Sequence, residues 1–413
     1  MTKIRYVYVF VLFAARAFGQ SVPASLQALL VEAQQNNAAI KAADRAIDAS
    51  RYGPAQASAL PETDVMVQHF AVGSPRPFAG YSNSDFAYIG FGASQELPYP
   101  GKRGLRAEVA KHEIAISGAE KNAVTWDVLT RVKRAYFQLA ASQQVISILQ
   151  RNRQTAEQIE QAAEARYRVG GGTQEDVLRA QLQRTKLLND LSMQQRESAQ
   201  AQVALKTLLN RPADSPDLIA KPVSVRRLPS PGALITNLRE KNPELQVNAE
   251  RISQSNASVE LARREKKPDF GVQYMWQHTA SEFRDYYMAT FSIKLPNRSR
   301  VRAMEGEAQA KVAQAEAEKE SRLKQVESDL GEQVAIARAS EEQLKVYEEG
   351  LIPQSEAALN AGLAGYRAGK QEYQGLLASF ADTLQLAIER EHILAEHESA
   401  IARIEALVGE ELQ

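Results

Sequence analysis

Cysteine is absent from this chain of 413 residues. The absence excludes disulfides, thiolate metal sites and a cysteine nucleophile, and it leaves no N-terminal cysteine for a mature lipoprotein. A basic block is absent too, because 50 basic and 50 acidic residues are mixed along the chain. Nucleic acid is therefore not an expected partner. The length exceeds that of one ordinary compact core and predicts two or more structural units.

Long apolar runs are missing as well, apart from one near the N-terminus. Lys3 and Arg5 precede an apolar run at 6–15, and Ala17-Phe18-Gly19 supplies the small residues of a cleavage site. Residues 1–19 are therefore predicted to be a secretory signal peptide, with a buried N-terminal helix as the alternative. No later run approaches the ~20 apolar residues of a membrane-spanning helix. The mature chain is expected to be soluble outside the cytoplasm or to enter a membrane by another route.

Proline is absent from residues 105–167, and this stretch contains a single glycine. Good helix formers fill it, so a rod of roughly 90 Å is expected. Gly170-Gly171-Gly172 ends the rod, and Thr173 with Asp176 can cap a returning helix. Residues 103–210 are thus predicted to form an antiparallel helical hairpin. A phosphate-binding loop is disfavoured at the three glycines, because no Gly-Lys-Ser/Thr follows them.

The order of elements recurs after a proline-rich linker at 211–230. In each half, short helices precede two segments of alternating polarity and a long hairpin. Leu97-Pro98 recurs 198 residues later, whereas Tyr167 recurs as Tyr366 after 199 residues, so the register holds along the long helix to within one residue. This agreement predicts an internal duplication. The predicted units are 20–210 and 231–413, with strands at 62–70, 85–97, 269–278 and 285–295 and long hairpins at 103–210 and 300–408. A helix is predicted at 38–60, and the second hairpin is predicted to begin with one long helix from 300 to 366.

The four alternating segments have about the length of tilted transmembrane β-strands, 9 to 11 residues. Four strands cannot close a barrel, and an open sheet edge cannot face lipid, so three copies would be needed to supply twelve strands. The predicted fold is mainly α with a small β part, in which long antiparallel helical hairpins form an α-barrel below a trimeric 12-stranded β-barrel with an aqueous interior. A small soluble β-layer on a coiled-coil protein is the alternative. The side chains expected on the lipid-facing surface are Ile89, Phe91, Tyr274, Trp276, Tyr287 and Phe291.

The chain resembles the TolC-like outer-membrane efflux proteins over nearly its whole mature length. The resemblance rests on one strand-to-helix junction and two hairpin tips. The junction looks closest to that of the heavy-metal efflux channels of the CzcC and CusC type. The matching residues are Gln95-Glu96-Leu97-Pro98-Tyr99-Pro100-Gly101-Lys102-Arg103 at the junction, Ala165-Arg166-Tyr167-Arg168-Val169-Gly170 with Asp176-Val177-Leu178-Arg179-Ala180-Gln181 at the first tip, and Gly365-Tyr366-Arg367-Ala368-Gly369 at the second.

The resemblance implies a homotrimeric, passive exit duct in the bacterial outer membrane, with its helical barrel in the periplasm. The implied partners are outer-membrane lipid, a periplasmic adaptor (membrane fusion protein) and an inner-membrane pump that supplies the energy, so neither a cofactor nor catalysis is expected. Wide channels of this kind leave cargo selection mostly to the pump. By motif match, the tip positions that form the periplasmic aperture and contact the adaptor are Tyr167, Arg168, Gly170, Tyr366, Arg367 and Gly369.

The aperture positions implied by the resemblance are Asp176 and Gln371. Some relatives close the aperture with an arginine at the position of Gln371, which pairs with an aspartate at the position of Asp176. Some also carry two aspartates where this chain has Gly375 and Ala378. This sequence keeps Asp176 alone, so a closed state held by that network is not implied. The arginines that could replace it are Arg166, Arg168 and Arg367.

A soluble periplasmic coiled-coil adaptor or scaffold is the alternative function. The channel requires the four alternating segments to be embedded in a membrane, whereas the scaffold predicts a chain that never enters one. A secreted enzyme has no support, because no nucleophile, metal cluster or paired carboxylates emerge from the sequence. The five histidines form no His-Glu-x-x-His pair, so no metal site is expected.

Overall fold

The computed structural model describes residues 22–70, 87–279 and 285–412. The predicted signal peptide at 1–19, the predicted loop at 71–84 and the first two residues of the predicted strand 85–97 lie outside these ranges. The described part is mainly helical with a small sheet, as the sequence predicted. Its strands are β1 (Val22–Ala24), β2 (Asp64–Phe70), β3 (Tyr88–Leu97), β4 (Leu218–Ala220), β5 (Asp269–Thr279) and β6 (Asp285–Lys294). Its α-helices are α1 (Leu26–Asn36), α2 (Ala38–Ser50), α3 (Gly53–Ser58), α4 (Lys102–Arg168), α5 (Gln174–Leu208), α6 (Pro231–Lys241), α7 (Pro243–Arg264), α8 (Arg298–Val346), α9 (Ile352–Arg367) and α10 (Tyr373–Val408).

Two long helical hairpins dominate the architecture. The first consists of α4, which has 67 residues and is about 100 Å long at 1.5 Å per residue, and α5, which returns beside it. The second consists of α8 and α9, followed by the returning α10. Apolar clusters lie at intervals along these hairpins. One cluster joins both hairpins near their tips, where Ala163 and Ala180 of the first pack with Tyr366 and Phe380 of the second.

A π-helical turn at Tyr347–Leu351 separates α8 from α9. The sequence predicted an unbroken helix from 300 to 366, and that prediction is wrong here. Pro353 lies two residues beyond the turn and has no N–H for a helical hydrogen bond, so the regular ladder is disturbed at this position. A π turn takes up one residue more than an α turn. It therefore accounts for the offset of 199 residues at the tips against 198 at the strand ends.

Four strands form one antiparallel sheet in the order β2-β3-β5-β6, which leaves β2 and β6 as its edges. Its register pairs Phe91 with Trp276 and Trp276 with Tyr287, so alternate residues of all four strands share a face. The apolar face carries Val65, Val67, Ile89, Phe91, Phe270, Val272, Tyr274, Trp276, Tyr287, Phe291 and Ile293. The opposite face carries mainly small and polar residues, including Gln68, Gly90, Gly92, Gln273, Gln277, Thr290 and Ser292.

Two short segments differ from the sequence prediction. The stretch 38–60 was expected to be one helix, but it divides into α2 and α3 at Arg51-Tyr52, just before Pro54. The linker 211–230 contains β4, which pairs in parallel with β1. Three-residue strands carry too little alternation to be seen in a sequence.

Ion pairs also hold the linker 211–230 in place. Arg226 donates hydrogen bonds to the buried carboxylates of Glu398 (2.6 Å) and Glu405 (2.8 Å) on α10. Lys133 of α4 contacts the same Glu405 at 2.7 Å. These ion pairs hold the junction between the two halves against both hairpins.

Candidate functional site: hairpin tips and the two-faced sheet

The two hairpin tips turn with the same backbone conformation. Gly170 and Gly369 adopt left-handed conformations, with φ of 75° and 73°, directly after the helix ends. The following residue then donates its backbone N–H to a carbonyl five residues earlier, from Gly171 to Arg166 and from Lys370 to Gly365. A glycine is favoured there because a Cβ would be strained in the left-handed region. The predicted tip glycines are thus the residues that turn each hairpin.

Tyr167 and Tyr366 occupy equivalent positions in the repeat but lie in opposite environments. Tyr366 is 1 % exposed and packs edge-on against Tyr373 at a centroid distance of 5.7 Å, whereas Tyr167 is 49 % exposed. Burial, together with the neighbouring Tyr366 and Asp176, raises the pKa of Tyr373 to about 12. Burial also raises the pKa of Tyr366. The second tip therefore encloses a buried tyrosine pair, while the first tip presents its tyrosine to solvent.

Arg166 joins the two tips. Its guanidinium donates hydrogen bonds to the carbonyl of Tyr366 (3.1 Å) and to that of Gly171 (2.5 Å), and a longer one to the carbonyl of Gln371 (3.5 Å). It also lies over the Tyr366 ring, with its Cζ 4.7 Å from the ring centroid. Of the three arginines suggested by the sequence as replacements for the relatives' arginine, Arg166 is the one with these contacts. Arg168 pairs with Glu164 of its own helix, and Arg367 is exposed.

Asp176 and Gln371 do not form a gate pair within the protomer. Asp176 completes a capping box with Thr173, accepting that residue's N–H at 3.3 Å. Gln371 packs its side chain against α9 and α10, where a Cβ added at Gly365 or Gly375 would lie 3.1 Å or 3.0 Å from its amide. Among the described residues, no hydrogen bond joins Asp176 to Gln371.

The predicted lipid-facing residues lie together on the apolar face of the sheet. Register places Ile89, Phe91, Tyr274, Trp276, Tyr287 and Phe291 on that face. Phe91 and Trp276 stack at 6.0 Å, and Phe270 and Phe291 at 5.9 Å, so the aromatic rings form a continuous surface. Much of this surface is exposed in the protomer, including Phe91, Tyr274, Tyr287 and Phe291. An exposed apolar patch of this kind marks an interface with another molecule or with lipid.

Within the described ranges, no helix combines the length and the apolar composition needed to cross a bilayer. The same residues contain no group of three or more histidine, aspartate or glutamate side chains arranged to hold a metal ion.

Comparison with known proteins identifies the family. A sequence profile described as "Outer membrane efflux protein" matches residues 29–211 and 234–408, one segment in each half of the chain. The chain belongs to the outer membrane efflux protein family. This membership confirms the TolC-like resemblance and the function predicted from it, an exit duct of an efflux system in the outer membrane. It speaks against the alternative of a soluble scaffold.

Relatives and solved structures of this family align with almost the whole efflux protein. The cobalt-zinc-cadmium resistance protein CzcC of Cupriavidus metallidurans is 23% identical, and the alignment covers 94% of this chain and 90% of CzcC. The pyoverdine export outer membrane protein OpmQ of Pseudomonas putida is 24% identical, with 92% and 85% covered. The crystal structure of CusC superposes with a TM-score of 0.81 at 16% identity, covering 95% of this chain and 94% of CusC. The fold is therefore that of these channels.

Sequence reasoning missed the roles of Arg166 and Tyr373 at the tips. Arg166 was one of several arginines near the tip motif, and its partner Tyr366 lies 200 residues away in the chain. One available signal was the broken symmetry of the repeat, because Gly365 stands at the position equivalent to Arg166. The two tip motifs share their tyrosine but differ in the residue before it, so the two tyrosines have different surroundings.

Proposed function

We propose that three copies of this efflux protein assemble into a passive duct. The three sheets would form a 12-stranded barrel in the outer membrane, and the helical hairpins would extend it into the periplasm. The hairpin tips would contact a periplasmic adaptor, and an inner-membrane pump would supply the energy. No step of this function requires a cofactor or a catalytic residue.

The proposal rests on the two open edges of the four-stranded sheet. Both β2 and β6 have unpaired edges, and every residue of β6 is exposed in the protomer. Unpaired edge groups are not tolerated in hydrocarbon, where each would cost several kcal/mol. Pairing β6 of one protomer with β2 of the next removes both edges and leaves the apolar face outside and the polar face around the duct.

The first tip is proposed as the main adaptor contact. Val169 is exposed near Tyr167, and Leu178 and Leu182, one helical turn apart on α5, are exposed as well. Arg168 is exposed next to Tyr167, and Arg367 is exposed at the second tip. Tyr366 is buried, so in this proposal it supports the second tip from inside and makes no direct adaptor contact.

Divalent metal ions are the proposed cargo class. The support is the alignment with CzcC, a cobalt-zinc-cadmium resistance protein, over 94% of the chain. Deleting the gene in its own bacterium is expected to lower tolerance to cobalt, zinc or cadmium salts. Unchanged metal tolerance, together with loss of siderophore export, would favour a cargo like that of OpmQ.

Assembly can be tested by crosslinking, because the chain has no native cysteine. We would combine Val67→Cys on β2 with a second cysteine at Tyr287, Ala289 or Phe291 on β6, and oxidise membranes that contain each pair. At least one pair is expected to give a covalent trimer, while each single-cysteine variant gives monomers. Absence of a crosslinked trimer from every pair along the β6 edge would contradict the assembly.

A further inference from the structure

A groove opens where the sheet meets the helices, between the start of α4 and the end of α7. Its volume is about 510 Å³. We call it the basic groove and define it by Gly101, Gly104, Glu260, Arg263, Arg264 and Lys267. It contains three cationic side chains and one carboxylate.

Two of the three cations lack an acidic partner. Arg263 is neutralised by Glu260 at 2.7 Å and approaches Glu305 at 3.4 Å. In the described part of the chain, Arg264 and Lys267 form no ion pair and no side-chain hydrogen bond. The acids nearby are already used, since Glu265 binds the buried Lys102 at 2.9 Å. The groove therefore holds two positive charges that nothing on the described protein balances.

The start of α4 adds to this positive field. Gly101 occupies the N-cap position and has no side chain to accept the first helical N–H groups. Its φ is 92°, and a Cβ there would lie 2.7 Å from an Nη atom of Arg264, so glycine leaves room for the guanidinium to lie over the helix end. The positive end of a 67-residue helix and two unpaired cations together favour an anion.

The groove lies on the apolar side of the sheet. Arg264 and Lys267 each lie 6.0 Å from the centroid of the Tyr99 ring. Tyr99 stacks on Phe270 at 6.4 Å, and Phe270 stacks on Phe291 of the apolar face at 5.9 Å. The basic groove is thus continuous with the aromatic surface through Tyr99. A bilayer presents acyl chains in its core and phosphates at its surface. Aromatic rings followed by cations match these two layers in the same order.

We propose that the basic groove binds the phosphate of a phospholipid headgroup, in the leaflet next to the helices. This inference rests on the proposed function, because it requires the apolar face to lie in the membrane. Arg264 would contact the phosphate oxygens with its fork of N–H groups, Lys267 would add a second charge, and Tyr99 would lie at the level of the headgroup. The groove would fix the depth of the duct in the membrane.

The test is native mass spectrometry of the detergent-extracted protein after titration with phosphatidylglycerol. The double variant Arg264→Gln/Lys267→Gln is expected to bind phosphatidylglycerol about 30-fold more weakly than the wild type. The matched control is Lys319→Gln/Arg338→Gln, which removes two exposed and unpaired charges from α8. It is expected to bind like the wild type. Arg264→Lys/Lys267→Arg keeps both charges and is expected to retain most of the binding.

Equal binding of phosphatidylglycerol by the wild type and the double glutamine variant would overturn the proposal. So would displacement of the lipid by millimolar inorganic phosphate, because that result would indicate a site for the free anion. If the double variant fails to assemble, the single Lys267→Gln variant gives the same comparison with about a fivefold expected effect.

Single-channel conductance of the same preparations separates this inference from the proposed function. A conducting double variant with unchanged lipid binding contradicts the lipid site alone. A wild type that neither assembles nor conducts contradicts the proposed function and the lipid site together.

Discussion

Arg166 contacts both hairpin tips through its side chain. It donates to backbone carbonyls of both tips and covers the Tyr366 ring, so it links the two tips within the protomer. Because its partners are carbonyls and a ring, no acidic residue is needed. The link does not depend on Gln371 being an arginine.

Replacing Arg166 should loosen the tips without unfolding the protein. Arg166→Ala removes charged hydrogen bonds and a cation–π contact from a half-buried site, so we expect a loss of about 1–2 kcal/mol in tip stability. Hydrogen exchange should become faster at 170–176 and at 366–373 and remain unchanged in the sheet. The control is Arg168→Ala, whose ion pair is exposed and should cost less than about 0.5 kcal/mol. Equal exchange rates in both variants would contradict this role of Arg166.

The buried tyrosine pair predicts a loss of tip stability at alkaline pH. The pKa of Tyr373 is raised to about 12 in the folded chain, against about 10 in the unfolded chain. The contribution of the neutral hydroxyl is therefore complete below about pH 10 and is lost as the pH rises through about 12. Thermal unfolding measured across this range should show a shallower decline for Tyr373→Phe than for the wild type.

At neutral pH the same substitution should change stability little. The Tyr373 hydroxyl is buried and has no hydrogen-bond partner among the described residues, so its removal leaves no group unsatisfied. Tyr167→Phe, at the exposed tyrosine of the first tip, serves as the control and should keep the wild-type pH profile. A wild-type profile for Tyr373→Phe as well would count against the buried pair.

The tip residues illustrate what a sequence reveals at this scale. Gly170 and Gly369 could be predicted, because a helix that ends at a left-handed residue selects glycine locally. The opposite burial of Tyr167 and Tyr366 could not, because it depends on which neighbour packs beside each ring in three dimensions. Such contacts join residues 200 positions apart and leave no local pattern.

Among the elements, the π turn at Tyr347–Leu351 has the clearest effect. It absorbs the extra residue of the second hairpin, so α9 continues from α8 without a shift in helical register. The sequence contained both signs of it, Pro353 and the offset of one residue, but helix-forming neighbours on either side favoured an unbroken helix. Propensity summed over a long window hides a local defect of this kind.

Deleting one residue tests this account of the π turn. Removal of Gly350 should convert the π turn to an α turn and preserve the register of the tip, so the protein should still assemble. Removal of Ala335 from the regular part of α8 should rotate every following residue by about 100° around the helix and misplace the apolar stripe. Size-exclusion chromatography and circular dichroism would compare the two. If both deletions reduce assembly and helix content equally, the π turn does not accommodate an inserted residue.

The two faces of the sheet predict different effects for one substitution at neighbouring positions of β6. Phe291→Lys places a charge on the apolar face and should cost about 2–4 kcal/mol if that position lies near the bilayer midplane. Thr290→Lys places it on the opposite face and should leave assembly intact while changing ion selectivity. The yield of assembled protein in outer-membrane fractions measures the first effect, and reversal potentials in bilayers measure the second. Equal yields would contradict the membrane position of the apolar face.

At the scale of the whole molecule, the duplication explains most of what the sequence could predict. Repeated markers at Leu97 and Leu295 and at Tyr167 and Tyr366 gave the class of fold and the order of elements. These markers could not predict the strand order β2-β3-β5-β6 or its two open edges. Alternating polarity shows that a strand has two faces, but it does not identify the neighbour of each strand.

The open edges make assembly the central claim of this account. It is tested most directly by measuring the mass of the detergent-extracted protein and recording single-channel conductance in a planar bilayer on the same sample. A trimer that produces uniform ion-conducting steps is the predicted result. A soluble monomer or dimer without bilayer activity would contradict the account.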